Sequence, residues 1–146
     1  MYHSERITPR NSVQLKVIKK TNIMEINRIT HEILDSAYKI HSTLGPGLLE
    51  SAYHACLIYE LKKKGFKVES EKPLPVIYEE VKLDCGYRID ILVEDKVVIE
   101  LKTVDAFTDV HSAQVLTCLK FSGKKVGLLL NFYTKSLKNG IKRFVL

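Results

Sequence analysis

Between Tyr87 and Thr103 the chain alternates apolar and polar positions with a period of two in two successive runs, the pattern of strands that turn one face to a core. In the first run Tyr87, Ile89, Ile91 and Val93 share a face, opposite Arg88, Asp90 and Leu92. In the second, Val97, Ile99, Leu101 and Thr103 share a face, opposite Val98, Glu100 and Lys102. A turn at Glu94, Asp95 and Lys96 pairs Val93 with Val97. Following that antiparallel register back sets Asp90 across from Glu100, with Lys102 one step along the same face.

Helical periods lie upstream. Apolar residues at Ile23, Ile26, Ile29, Ile33, Ala37, Ile40 and Leu44 predict a long amphipathic helix, capped by Asn22 and stopped by Gly45 and Pro46. Gly47-Leu48-Leu49-Glu50-Ser51-Ala52-Tyr53 opens a second helix that runs through Leu61 to Lys62, Lys63 and Lys64 and stops at Gly65. Residues 1–21, with Arg6, Arg10, Lys16, Lys19 and Lys20 against Glu5, read as a loosely ordered basic arm that either is solvated or contacts phosphate. Residues 22–146 then form a single domain.

Lys72 to Tyr78, interrupted by Pro73 and Pro75, reads as the entry to an edge strand. Glu79 and Glu80 mark a turn, and Val81 to Val93 carries the sheet onward with a bend near Cys85-Gly86. Past the hairpin, Thr108 caps a third helix reaching Phe121, which Gly123 closes. Val126 to Phe132 is a continuous apolar run, as expected of a strand buried on both faces. Strand, helix and buried strand in that order make the strands at Val97–Thr103 and Val126–Phe132 parallel. A short strand from Ile141 to Val145 follows Gly140. The fold class is α/β, with a mixed sheet flanked by helices.

The hairpin register carries a cost. Carboxylates directly opposite on neighbouring strands, with Cβ atoms roughly 5 Å apart, repel each other. Either the face is solvated and Asp90 and Glu100 pair with Arg88 and Lys102, or a divalent cation lies between the acids and turns repulsion into ligation. The apolar runs Ile-Asp-Ile-Leu-Val and Val-Val-Ile-Glu-Leu-Lys favour the second, because charges in buried strands need a partner. A hard ion such as Mg²⁺ takes one or two carboxylates together with water and phosphate oxygens. A lysine beside it holds the attacking water, so the three residues supply the parts of a phosphodiester hydrolase.

Glu50 falls on the apolar face of the second helix with Tyr53, Leu57 and Leu61, where an acid either caps the helix start or joins a metal site. On the third helix His111, Gln114 and Cys118 form one stripe. Gln114 is placed to orient a water or a phosphate, and His111 either caps the helix or contacts phosphate.

Charge and composition narrow the partners. The net charge of +6 favours a polyanion, nucleic acid first. Lys62, Lys63, Lys64, Lys124 and Lys125 are candidates for contacts with its backbone. Three cysteines without a C-x-x-C spacing argue against a disulfide framework and against a zinc site. No apolar run reaches the ~20 residues of a membrane helix, and the first ten residues lack the apolar segment of a signal peptide. The expected location is the cytoplasm.

Five ordered blocks resemble the GxxExxY proteins, a mostly prokaryotic branch of the PD-(D/E)XK nuclease-like superfamily. They are Gly47-x-x-Glu50-x-x-Tyr53, Ile89-Asp90-Ile91-Leu92-Val93, Val98-Ile99-Glu100-Leu101-Lys102, His111-x-x-Gln114 and Val126-Gly127-Leu128-Leu129-Leu130-Asn131-Phe132. The resemblance implies a restriction-endonuclease-like core and a Mg²⁺- or Mn²⁺-dependent nuclease acting on DNA. Asp90 and Glu100 would be metal ligands, Lys102 would position the nucleophilic water, and Glu50 would complete the metal shell or hold a second ion. Gln114 looks like the glutamine of the Q-x-x-x-Y motif, although Cys118 stands where tyrosine is usual. The alternative on the same fold is an inactive module that binds nucleic acid or protein. The sequence leaves oligomeric state and strand preference open.

Overall fold

No glycine or proline interrupts the chain from Asn11 to Leu44, and in the computed structural model this whole stretch is one helix. The structure describes residues 11–83 and 86–146. Helix α1 spans Ser12–Leu44 and is capped by Asn11, whose side-chain oxygen accepts from the Gln14 N–H at 2.9 Å. The expected start at Asn22 is therefore corrected. Asparagine in a helix interior costs only about 0.6 kcal/mol relative to alanine, too little to stop a helix already propagating. Residues 12–24 of this helix are exposed, and burial begins near Ile29. Arg6, Arg10 and Cys85, which carried parts of the sequence reading, lie outside the described residues.

Gly45, at φ 72°, ends α1, and α2 follows at Glu50–Lys63. Strand β1, Val68–Pro73, is an element that the sequence pattern hides, because Glu69, Ser70 and Glu71 give it no apolar alternation. Pro73 and Pro75 separate it from β2 (Val76–Tyr78), which among the described residues pairs only with β3 (Val81–Leu83), in a hairpin of its own. The expectation that Val81 to Val93 is continuous sheet is corrected accordingly. Next come β4 (Arg88–Val93), β5 (Val97–Lys102), α3 (Asp109–Ser122), β6 (Val126–Asn131), a 3₁₀ turn at Leu137–Gly140 and β7 (Ile141–Val145).

The main sheet has the order β1-β4-β5-β6-β7. All its pairings are antiparallel except β5 with β6, which is parallel as the crossover through α3 requires. Val93 pairs with Val97, and Glu94 and Asp95 take φ values of 52° and 56° to close the turn. The hairpin register read from the sequence is the one observed.

Helices α1 and α2 cover one face of the sheet, burying Ile29, Ile33, Tyr53 and Leu57 against Ile91, Ile99, Leu101 and Leu128. Helix α3 and the β2–β3 hairpin cover the other, with Leu74, Val76, Val115 and Leu119 against Val98 and Leu129. Ile89 packs with this second cluster, whereas Ile91 and Val93 belong to the first, so the expected shared face for the three is corrected. The alternation breaks at Asp90.

Candidate active site

Asp90 and Glu100 are adjacent in register, but the ladder between β4 and β5 closes at Ile91 and Ile99. Beyond that point the Asp90 carboxylate takes over, accepting the Leu101 N–H at 3.0 Å. The backbone pairing of β4 with β5 ends here. Glu100 and Lys102 turn toward α3, where with Gln114 and Cys118 they line a cavity of about 460 Å³.

Glu100 is the most perturbed acid of the group. Burial, then the charge of Asp90, pushes its carboxyl up to about 8, with Lys102 pulling the other way. Its Oε2 is buried and has no hydrogen-bond partner among the described residues. An orphaned carboxylate oxygen facing a second carboxylate is costly, and either a proton or a cation between the two acids relieves it. Among the described residues no three His, Cys, Asp or Glu side chains cluster tightly enough to surround an ion by themselves. The donor set nevertheless suits a hard ion that keeps most of its waters.

Glu50 opens α2 and reaches this region from the opposite face of the sheet. Its carboxyl is raised by partial burial first and then by Asp90, with Lys102 and His54 opposing. Tyr53 explains how Glu50 is held: its hydroxyl donates to the Gly45 carbonyl and accepts the Leu48 N–H at 3.1 Å. Its ring stacks on Phe132 with centroids 4.5 Å apart. The tyrosine three residues after Glu50 thus pins the loop from which the acid is launched. Tyr53→Phe leaves a backbone N–H and a carbonyl without their partner, and should lower stability by about 1–3 kcal/mol in urea unfolding with an unchanged m-value.

His54, four residues after Glu50, was not singled out in the sequence, although the spacing places it on the same helical face. Its Nε2 lies 3.1 Å from the Asp90 carbonyl, 3.5 Å from Ser70 Oγ and 3.6 Å from Glu71 Oε1. It ties α2 to β4 at the residue whose side chain leaves the ladder. Asn131 does the same for the exit of β5: buried at 2% exposure, it bonds both backbone groups of Val104 at 3.1 and 2.7 Å.

The structure separates other candidates from this cluster. His111 completes a capping box, its Nδ1 accepting the Thr108 N–H at 3.1 Å, so its capping role is the one on view. Lys62, Lys63 and Lys64 lie at the far end of α2 from Glu50, about 20 Å away at 1.5 Å per residue. Lys64 is bonded to Glu32 and Asp35 at 2.8 and 2.9 Å. Lys124 and Lys125 precede Val126, which pairs with Val97, about 16 Å along the strand from Lys102. Lys124 is bound to Asp95 at 3.0 Å. Arg88 is exposed and lines the same cavity as Glu100 and Lys102.

Cys118 is a buried thiol pushed up to about 12, first by burial and then by the Glu100 and Asp90 charges. It is a neutral wall of the cavity. No helix among the described residues is long and apolar enough to cross a membrane.

The five-stranded mixed sheet between helical layers, with an Asp and a Glu-x-Lys run on adjacent strands where their backbone pairing ends, is a restriction-endonuclease-like arrangement. No curated protein and no solved structure matches the chain. A family model described as the PD-(D/E)XK nuclease superfamily matches residues 27–144. That span runs from the middle of α1 into β7, and the chain belongs to the PD-(D/E)XK nuclease superfamily.

Proposed function

We propose that the protein is a metal-dependent nuclease that hydrolyses phosphodiester bonds of DNA at Asp90, Glu100 and Lys102. Members of the superfamily as a rule depend on a divalent metal ion and act on nucleic acid. The observation that carries the reading is the buried Oε2 of Glu100, without a hydrogen-bond partner among the described residues and beside Asp90, a pair that a cation or a proton relieves. We also place the chain in the GxxExxY branch, on Gly47, Glu50 and Tyr53. The proposed domain is residues 22–146.

Asp90 and Glu100 would hold Mg²⁺ or Mn²⁺, with Glu50 facing the pair. The ion, when bound, lowers the pKa of a coordinated water and withdraws charge from the phosphate. The chain's own residues do the rest. Lys102 orients the water in line with the scissile bond and offsets negative charge gathering on the phosphate oxygens. Gln114, across the cavity, donates through its side-chain amide to a phosphate oxygen or the water. Arg88 holds the neighbouring phosphate.

The second reading is an inactive nucleic-acid-binding module, favoured by Cys118 at the position where the Q-x-x-x-Y motif has tyrosine. The two are separated by incubating labelled single- and double-stranded DNA with the protein in Mg²⁺, in Mn²⁺ and in EDTA. Cleavage that requires the ion supports the nuclease. Salt-sensitive binding that is indifferent to Mg²⁺, with intact DNA, supports the module.

A further inference from the structure

The cavity over Glu100 and Lys102 is larger and more apolar than a phosphate requires. Its floor is charged, but its walls are Leu74, Val76 and Leu83 on one side and Val110 and Ala113 on the other. Leu74 and Val76 are buried in the core cluster beneath α3, so this wall is a fixed part of the fold. At the rim stand Tyr87, 55% exposed, and Arg88. A second hollow of about 400 Å³ continues past the same Tyr87 and Arg88 and is flanked by Lys82. The two hollows share Leu74, Leu83, Tyr87 and Arg88 in their linings, so the same aromatic ring and cation border both, with Lys82 on the second.

The first hollow's volume is in the range of pockets that enclose small organic ligands. An anionic oxygen gains nothing from aliphatic walls, whereas a nucleobase gains from both the walls and a ring to stack on. A base paired inside a duplex cannot reach such a chamber without leaving the stack. Resting on the nuclease reading, we propose that the chamber is a base-binding subsite: it takes one unpaired base of a single DNA strand, next to the phosphate presented to Glu100 and Lys102. Tyr87 stacks on the adjoining base at the rim, and Arg88 and Lys82 follow the backbone into the second hollow. The β2–β3 hairpin is then the wall that makes the enzyme prefer single-stranded or frayed DNA.

The test is fluorescence anisotropy on the full chain with Ca²⁺ in place of Mg²⁺, using a labelled single-stranded 12-mer, its duplex, and single strands carrying one abasic site at successive positions. The expected result is binding of the single strand at least tenfold tighter than the duplex, with one abasic position weakening it about tenfold. Tyr87→Ala and Val110→Asp, both at exposed positions, should each weaken single-strand binding about tenfold while melting like the parent. Equal affinity for both forms, a flat abasic scan, or variants that bind like the parent would overturn the subsite. Those results would leave the nuclease reading standing, since ion-dependent cleavage decides it separately. Absence of any DNA binding would overturn both.

Discussion

Lys102→Ala is expected to fold as the parent does and to cleave DNA at least about a hundredfold more slowly, the scale of losing one group that offsets charge in the transition state. Lys102 is the last residue of β5 and half-buried in the cavity wall. It is not part of either apolar cluster, so shortening it leaves the packing intact. Glu100→Ala should abolish turnover for a different reason, since it removes a proposed ligand whose Oε2 is buried without a hydrogen-bond partner among the described residues. Lys124→Ala is the matched control. Its ammonium is paired with Asp95 at the opposite end of β5, and cleavage should be unchanged. Single-turnover rates with saturating protein, with melting curves of each variant alongside, check all three. Cleavage undiminished in Lys102→Ala and Glu100→Ala would rule out the assigned residues.

Without a divalent ion, the protein should lose stability as the pH rises from about 5 to 8. Glu100 in the folded chain holds its proton up to about 8, because burial and the Asp90 charge disfavour its ionised form, whereas an unfolded glutamate releases it near 4.3. Between those values the unfolded state binds fewer protons, so the slope of unfolding free energy with pH is negative. Glu50, also raised, adds to the same trend. Asp35, Glu69 and Asp95, each lowered first by a hydrogen bond to lysine, act oppositely and only in acid, where their pairs are lost as the pH falls. The maximum should therefore lie near pH 5. The alkaline loss is on the order of a few kcal/mol, or about 5–10 °C in melting temperature for a chain of this size. Glu100→Gln should flatten the profile and melt higher than the parent at pH 8. Mg²⁺ should raise the parent at pH 8 and leave Glu100→Gln nearly unmoved, because a ligand stabilises only the state that binds it. Calorimetric scans at pH 5 and pH 8, with and without Mg²⁺, provide the check.

The hairpin was legible in the sequence because both of its strands alternate and the turn length fixes the register. Val93 meets Val97 as the pattern requires, and the parallel pairing of β5 with β6 follows from the handedness and length of the crossover. The start of α1 was misread at Asn22 since a good capping residue also sits in helix interiors at small cost. Strand β1 carries its information in β4: it pairs Val68 to Pro73 with Val93 to Arg88, and its own run of acids shows nothing of that. Pro73 and Pro75 signalled an edge correctly and hid the fact that β2 and β3 leave the main sheet.

The candidate cluster followed a similar division. Asp90, Glu100 and Lys102 were visible because charges interrupt apolar strands. Glu50 was visible as an acid on an apolar helical face, and Gln114 from its place on α3. The lysine clusters lie away from Glu100 and Lys102, since charge counts say nothing of direction, and Lys64 and Lys124 are paired with Glu32, Asp35 and Asp95. The cavity was out of reach of any periodicity, because Leu74, Val76 and Tyr87 line it together with Val110 only once the hairpin and α3 lie on the same face of the sheet.

The measurement that bears most directly on the central claim is calorimetric titration of Mg²⁺ and Mn²⁺ into the parent protein and into Asp90→Ala, followed by DNA incubation of the same samples. The parent should bind the ion and the variant should not, with cleavage lost alongside binding. An absence of ion binding in the parent, even with DNA present to supply phosphate oxygens, would contradict that claim and leave Asp90 and Glu100 as a pair relieved by a proton alone.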